Sequence, residues 1–227
     1  MDKDIKESTG RDAATSGKRT FGPGTLLSPL PTIMVSCGDI DGEKNIITIG
    51  WTGIINSEPP MTYISVRKSR YSHDIIEKSG EFVINLVNKD LVYANDFCGV
   101  KSGRDLDKFA EQKLTAIAAE NVKCPLIAES PVNIECVVVR KIELPSHDMY
   151  MAKILAVHVD EKYINAAGKI DFAQMDLVAY SHGEYFALEN EKLGNFGYSV
   201  MKPKTKAKKE KEERGARRAK QRMRKGH

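Results

Sequence analysis

The apolar positions of this chain are spaced as a series of short strands with a few short helices between them. Thr32-Ile33-Met34-Val35-Ser36-Cys37 is a strand-length apolar run, and Asp39-Ile40-Asp41-Gly42-Glu43 follows it as a turn. Residues 45–51 supply a second strand, so the pair predicts a hairpin. Residues 61–67 alternate strictly, with Tyr63, Ser65 and Arg67 on one face and Thr62, Ile64 and Val66 on the other. Residues 71–78 switch to helical spacing, with Ser72 as the predicted N-cap and Gly80 as the stop. Residues 81–87 predict a buried strand, and residues 89–98 and 106–112 two more short helices. After Pro125 the pattern returns to strands over residues 133–141, 150–159 and 176–180.

This order predicts a mainly β fold in which strands form a small closed or partly closed antiparallel barrel and short helices are inserted between them. A doubly wound parallel sheet does not fit. Long helices do not alternate with the strands, and no GxGxxG follows a first strand.

Charge divides the chain. The whole sequence of 227 residues carries a net +4, yet residues 202–227 alone hold 13 Lys and Arg against 3 Glu, a net +10, so residues 1–201 are mildly acidic. We therefore expect a polar, disordered arm over residues 1–20, one domain over residues 21–201, and a basic tail over residues 202–227, disordered or partly helical. The tail is a candidate for weak polyanion binding, though it has no aromatic residue for base stacking. No apolar stretch approaches the roughly 20 residues of a membrane helix, and no apolar leader follows Met1. The four cysteines are scattered and form no CxxC. A reducing, cytoplasmic location without membrane attachment is the expectation.

Three stretches carry candidate chemistry. Residues 45–53 (Asn-Ile-Ile-Thr-Ile-Gly-Trp-Thr-Gly) put small and polar residues, including Asn45, Thr48, Gly50, Thr52 and Gly53, at a strand end, where backbone N–H groups can approach a flat ligand. Trp51, the single tryptophan, is available there to cover a ring face. An ordinary strand with a core Trp and a turn glycine has the same pattern. Residues 65–73 (Ser-Val-Arg-Lys-Ser-Arg-Tyr-Ser-His) put three cations and several hydroxyls where a strand runs into a helix N-terminus, an arrangement suited to phosphate. A solvated loop before a capped helix reads equally well. Residues 99–109 are Gly-rich and charged, and either close over a ligand or form a capped surface loop. No histidine pair has metal spacing and no GxSxG is present. Cys98 reads more readily as a buried, inert thiol than as a redox centre.

In order and spacing, the succession N-x-x-T-x-x-W-T-G, S-E-P-P-M, S-V-R-K-S-R-Y-S, G-E-F-V-I-N-L and S-G-R-D-x-D-K-F resembles the flavin reductase-like family, and within it the flavoredoxin type. The resemblance runs over about residues 24–201, through P-V-N-I-E-C at 131–136 to the ending L-G-N-F-G-Y-S-V. It implies an FMN-binding split β-barrel, antiparallel and Greek-key-like, that forms a homodimer. It places Thr48, Trp51 and Thr52 nearest the isoalloxazine, and Ser65, Val66, Arg67, Tyr71 and Ser72 toward the ribityl phosphate. It sets Lys108 near the flavin and His147 on the side from which a nicotinamide or another donor approaches. Trp51 and Thr52 stand where reductases of the family often carry small hydroxyl residues, and the basic tail lies outside the family pattern.

The implied activity is that of an FMN-dependent oxidoreductase, a flavin reductase-like enzyme taking electrons from NAD(P)H or a protein donor. The alternative is a flavoredoxin-like carrier without direct NAD(P)H activity. A third class, a nucleic-acid-associated module acting through the tail, rests on charge alone.

Overall fold

The computed structural model describes residues 17–189, 191–203 and 205. The predicted arm, apart from residues 17–20, and nearly all of the basic tail lie outside the described residues.

In chain order, β1 (Leu30–Pro31) precedes the predicted hairpin, β2 (Ile33–Gly38) and β3 (Lys44–Ile49). A two-residue break at Gly50 and Trp51 leads into β4 (Thr52–Ser57), which turns back as β5 (Pro60–Arg67). Helix α1 (Tyr71–Ser79) and strand β6 (Glu81–Leu86) come next. A short 3-10 turn then opens α2 (Val92–Val100), and α3 (Lys108–Glu111) follows. The two-residue strands β7 (Ala116–Ile117) and β8 (Leu126–Ile127) pair with each other. The long ribbon of β9 (Val132–Glu143) and β10 (His147–Val159) follows, and a last hairpin pairs β11 (Val178–Ser181) with β12 (Glu184–Ala187).

Seven strands form one sheet in the order β3-β2-β6-β9-β10-β5-β4, every pair antiparallel. Its edges, β3 and β4, are consecutive in sequence. The sheet therefore curls until β3 comes beside β5, leaving a seam where the barrel is split rather than hydrogen-bonded shut. This is the antiparallel barrel the sequence predicts.

The core explains why residues 33–37 read as a continuous apolar run. Ile33, Val35 and Cys37 point into the barrel with Ile47, Ile49, Ile64, Val66, Phe82 and Tyr150. Met34 on the opposite face joins Ile46, Leu91, Cys98, Phe109 and Ile127 beneath α2 and α3. A strand covered on both faces loses the alternation of a half-buried one. The alternation of β5 survives: Thr62, Ile64 and Val66 form its buried face.

Two local expectations differ from the structure. Helix α1 begins one residue before Ser72. Arg70 occupies the cap position with extended backbone and no side-chain cap, and Ser72 is buried inside the first turn. The helix does end at Gly80, which takes the left-handed conformation (φ 68°) and donates its N–H to Ile76 O. His147 belongs to β10 itself, which starts three residues earlier than the spacing predicts. None of the helices among the described residues is long and apolar enough to cross a membrane.

Candidate functional site

The seam beside β3 opens into a cleft with two connected lobes. The larger, about 380 Å³, lies along β3 from Thr48 to Trp51 and is walled by His147, Tyr180 and Tyr185. The smaller, about 230 Å³, lies between the turn that starts α1 and the 101–104 loop. Ile47, Arg67 and Arg70 line both, so the lobes form one elongated site. Taken together, the lobes of about 380 and 230 Å³ are on the scale of small-molecule sites, roughly 300–1,000 Å³.

Backbone polarity along the larger lobe follows from register. Asn45 O faces β2, where Cys37 Sγ donates to it at 3.7 Å. Ile46 O, of opposite parity, points away from β2 and accepts from Lys108 Nζ at 2.7 Å. Because successive residues of a strand turn their backbone groups to opposite sides, Thr48 turns its N–H and C=O to the open edge. Its side chain packs the other way, and its hydroxyl donates to Asn95 O on α2.

At the far wall, the Trp51 and His147 rings pack against each other at a tilt of 42°, with centroids 4.4 Å apart. His147 is buried, and its Nδ1 lies 2.8 Å from Ser146 Oγ, which leaves Nε2 as the ring's free polar atom. Burial, helped by the Arg67 charge across the β10–β5 pair, holds its pKa below the usual histidine range, so the ring is neutral near pH 7. Asp148 turns to the opposite face of β10. There it meets His73 Nε2 at 2.8 Å and Lys68 at 3.4 Å, tying α1 to the strand that presents His147.

The smaller lobe is basic and floored by polar contacts. Asn45 Nδ2 donates to Ser72 Oγ at 2.9 Å. Asp107 caps α3 by accepting from the N–H groups of Phe109 and Ala110, which makes Lys108 the first helical residue and turns it inward. The buried Lys108 ammonium donates to Ile46 O and, at 2.8 Å, to Cys98 O near the end of α2. It therefore joins β3 to α2 and keeps one donor for the lobe it lines. Burial pushes the Cys98 thiol up to about 11, which keeps it protonated and unreactive.

Gly103 is where the loop needs the absence of a side chain. A Cβ there would stand 2.2 Å from Asn45 Oδ1. Gly103→Ala is expected to lower the unfolding free energy by about 1–3 kcal/mol, and adding Asn45→Ala, which empties the colliding position, should recover part of that loss. Denaturant titrations of the single and double variants check this; strictly additive losses would place the strain elsewhere.

Of the residues singled out in the sequence, Thr48, Gly50, Trp51, Ser65, Val66, Arg67 and His147 line the larger lobe. Asn45, Arg67, Tyr71, Ser72 and Lys108 line the smaller. Thr52 and Gly53 line neither: the Thr52 hydroxyl donates to Tyr63 O at 2.6 Å, and Gly53 packs on the Tyr63 ring. Tyr71 donates its hydroxyl to Glu43, which raises its pKa and turns it away from the lobe. Thr32, Asp96, Tyr180 and Tyr185 were not expected. The two tyrosines stack at 5.5 Å, and Tyr185 donates to Asp96 Oδ1 at 3.0 Å.

A family model, the flavin reductase-like domain, matches residues 26–189. The chain belongs to this family. Within it the chain is of the flavoredoxin type. It is 32% identical to the flavoredoxin of Desulfovibrio vulgaris (Miyazaki F), with a TM-score of 0.76 over 81% of this chain and 100% of that one. It is 27% identical to the flavoredoxin of Methanosarcina acetivorans, with a TM-score of 0.72 over the same shares. An FMN-binding protein from Thermus thermophilus shares the fold at 18% identity, with a TM-score of 0.66 over 80% of this chain and 100% of that one. A flavin-related redox role comes with the family, and the cleft of this flavin reductase-like chain fits such a group. The elongated lobe with an open strand edge and a Trp–His wall suits a flat heteroaromatic, and the basic lobe at the start of α1 suits a phosphate.

Proposed function

We propose that the cleft holds FMN and that the protein is an oxidoreductase passing electrons from NAD(P)H or a protein donor to an acceptor. The observation that carries this reading is the continuity of the two lobes through Ile47, Arg67 and Arg70. A lobe walled by aromatic side chains adjoins a lobe lined by cations, the arrangement that a flavin with one terminal phosphate requires.

In this reading the Thr48 backbone orients the ring edge, Trp51 and His147 shield one side of it from water, and Arg70, Lys101 and the first amides of α1 hold the phosphate. Arg67, where the lobes meet, sets positive charge beside the ring and favours its anionic reduced form. His147, neutral near pH 7, is available to accept or donate a proton at Nε2. Bound flavin supplies two-electron and one-electron chemistry.

The Trp51–His147 contact also favours a second reading, a carrier served by a protein donor, because a bulky pair against the ring lobe narrows the approach of a nicotinamide. Anaerobic absorbance separates the two. Flavin bleached within seconds by NADH or NADPH is the reductase outcome. Flavin that ignores both nucleotides but is reduced by dithionite is the carrier outcome. A protein that takes up no FMN refutes both.

A homodimer belongs to the same proposal. Ile54 on β4 and Val139 and Val157 on the β9–β10 ribbon are more than half exposed, apolar surface of the kind a second subunit covers. Light scattering after gel filtration reads this directly. The cytoplasmic location and the polyanion binding of residues 202–227 stand as further proposals from sequence. The second requires salt-dependent retention on RNA that is lost when the tail is removed.

A further inference from the structure

We infer that Arg104 is a strap that makes the site select a flavin ending in a phosphate monoester over one that continues into an adenylate. The inference rests on the flavin reading above and adds the residue that sets which flavin.

Two segments border the smaller lobe: the turn of residues 67–72 that starts α1, and the loop of residues 101–104. Arg104 leaves the second and grips the first. Its Nη1 donates to Ser69 O at 3.3 Å and its Nη2 to Asp74 Oδ2 at 2.9 Å. The guanidinium carbon lies 5.0 Å from the centroid of the Tyr71 ring. Tyr71 is itself anchored through its hydroxyl to Glu43, so the surface under the guanidinium is fixed. The loop is stiffened at its root, where Arg104 N donates to Ser102 Oγ at 3.2 Å.

The floor of the lobe is closed by contacts already described: Gly103 against Asn45, Asn45 on Ser72, and Lys108 on two carbonyls. Arg104 joins the two segments across the lobe, so a group that continues past the phosphate between them meets the guanidinium.

Charge supports the same assignment. The Arg104 charge is answered by Asp74, so it acts as a strut and not as a phosphate ligand. Arg67, Arg70 and Lys101 line the lobe with no carboxylate partner among the described residues, and Lys108, held by two carbonyls, lines it too. This excess of positive charge suits a phosphate monoester, which carries about −1.5 to −2 near neutral pH. Each phosphate of a dinucleotide is a diester-like group with a single negative charge. An exposed ion pair and a cation–π contact are each weak, so the strap sets a preference and not an absolute barrier. The expected effect is about tenfold, which corresponds to about 1.4 kcal/mol.

The test measures dissociation constants for FMN and FAD by flavin fluorescence on the full-length protein, with Arg104→Ala and Asp74→Asn. The wild type should favour FMN. Arg104→Ala should shift the ratio of the two constants about tenfold toward FAD, and Asp74→Asn should shift it in the same direction by less. If Arg104→Ala does not fold, Arg104→Lys, which keeps the charge but loses the planar stack and the fork, carries the same comparison. An unchanged ratio, or equal weakening of both flavins as for a phosphate ligand, overturns the strap. A folded wild type that binds neither flavin overturns the flavin reading itself, a result distinct from an unchanged ratio.

Discussion

Replacing Lys108 with Met is expected to empty the site of flavin during gel filtration and to lower the unfolding free energy by about 2–4 kcal/mol. Lys108 is buried, and its ammonium serves Ile46 O on β3 and Cys98 O near the end of α2. Met matches the length of the aliphatic stem but donates nothing. Two carbonyls are then left in a place water reaches poorly, at about 1–3 kcal/mol each. Part of that loss is returned, because the variant no longer desolvates an ammonium. The same desolvation holds the Lys108 pKa below the usual lysine range. The brace survives a change of protonation, since a neutral amine still carries two N–H donors. Without it, the open edge of β3 and the end of α2 are free to separate, and they flank the passage between the lobes. Flavin absorbance per protein after gel filtration and a guanidinium titration read the two effects independently. Loss of stability with flavin retained would make Lys108 a structural brace alone, and retention of both would contradict the geometry.

The sequence made most of the barrel legible because its strands differ in how they are covered. Strand β5 shows its alternation plainly, since one face is core. Strand β2, covered on both faces, appears as an apolar run of strand length. Strand β4 leaves no strand signal in the sequence. It is an edge with Ile54 and Ile55 both exposed, so no buried face leaves a periodic trace. Of the β11–β12 hairpin, the sequence pattern shows only the first strand. Its turn is made by His182 and Gly183, both at positive φ (53° and 97°), and His-Gly lacks the usual Asn-Gly signature of such turns.

The site shows the same division. Residues 65–72 were legible because a strand running into a helix brings them together locally. Tyr180, Tyr185 and Asp96 come from distant segments that meet only in the folded molecule. Ser72 illustrates a different limit: its type and place suggested a cap, yet the hydroxyl turns inward to Asn45, a partner that only the β3–α1 packing supplies.

Glu135→Gln is expected to cost about 2–4 kcal/mol at neutral pH and to flatten the acid side of the stability profile. Glu135 lies on β9 with no exposure to solvent. Its Oε1 accepts from Glu120 N at 2.8 Å and approaches His158 Nε2 at 2.6 Å, and its Oε2 accepts from Asn121 N at 2.7 Å. The carboxylate thus fastens the segment before β8 against the barrel, where Val122 and Cys124 pack on Val83. Burial alone pushes the carboxyl pKa up. The N–H of Glu120, the His158 ring and the N–H of Asn121 together outweigh it, and the pKa falls below the usual glutamate range. A carboxylate with a depressed folded pKa stabilises fully above its unfolded value of about 4.3. It loses that contribution as the pH falls through the lower folded value. Glutamine offers one acceptor oxygen and an NH2 group that points its own hydrogens at a backbone donor, which leaves that buried donor unpaired at about 1–3 kcal/mol and weakens the remaining contacts. Urea titrations of the wild type and variant at pH 7 and at pH 3, well below the unfolded value, carry the test. The gap between them should narrow toward the acid side, because only the wild type gives up a titrating group there. His158→Ala, which removes one of three partners and leaves both backbone donors in place, should cost about 1 kcal/mol. A constant gap between Glu135→Gln and wild type across that pH range would show that the carboxylate is not the linked group.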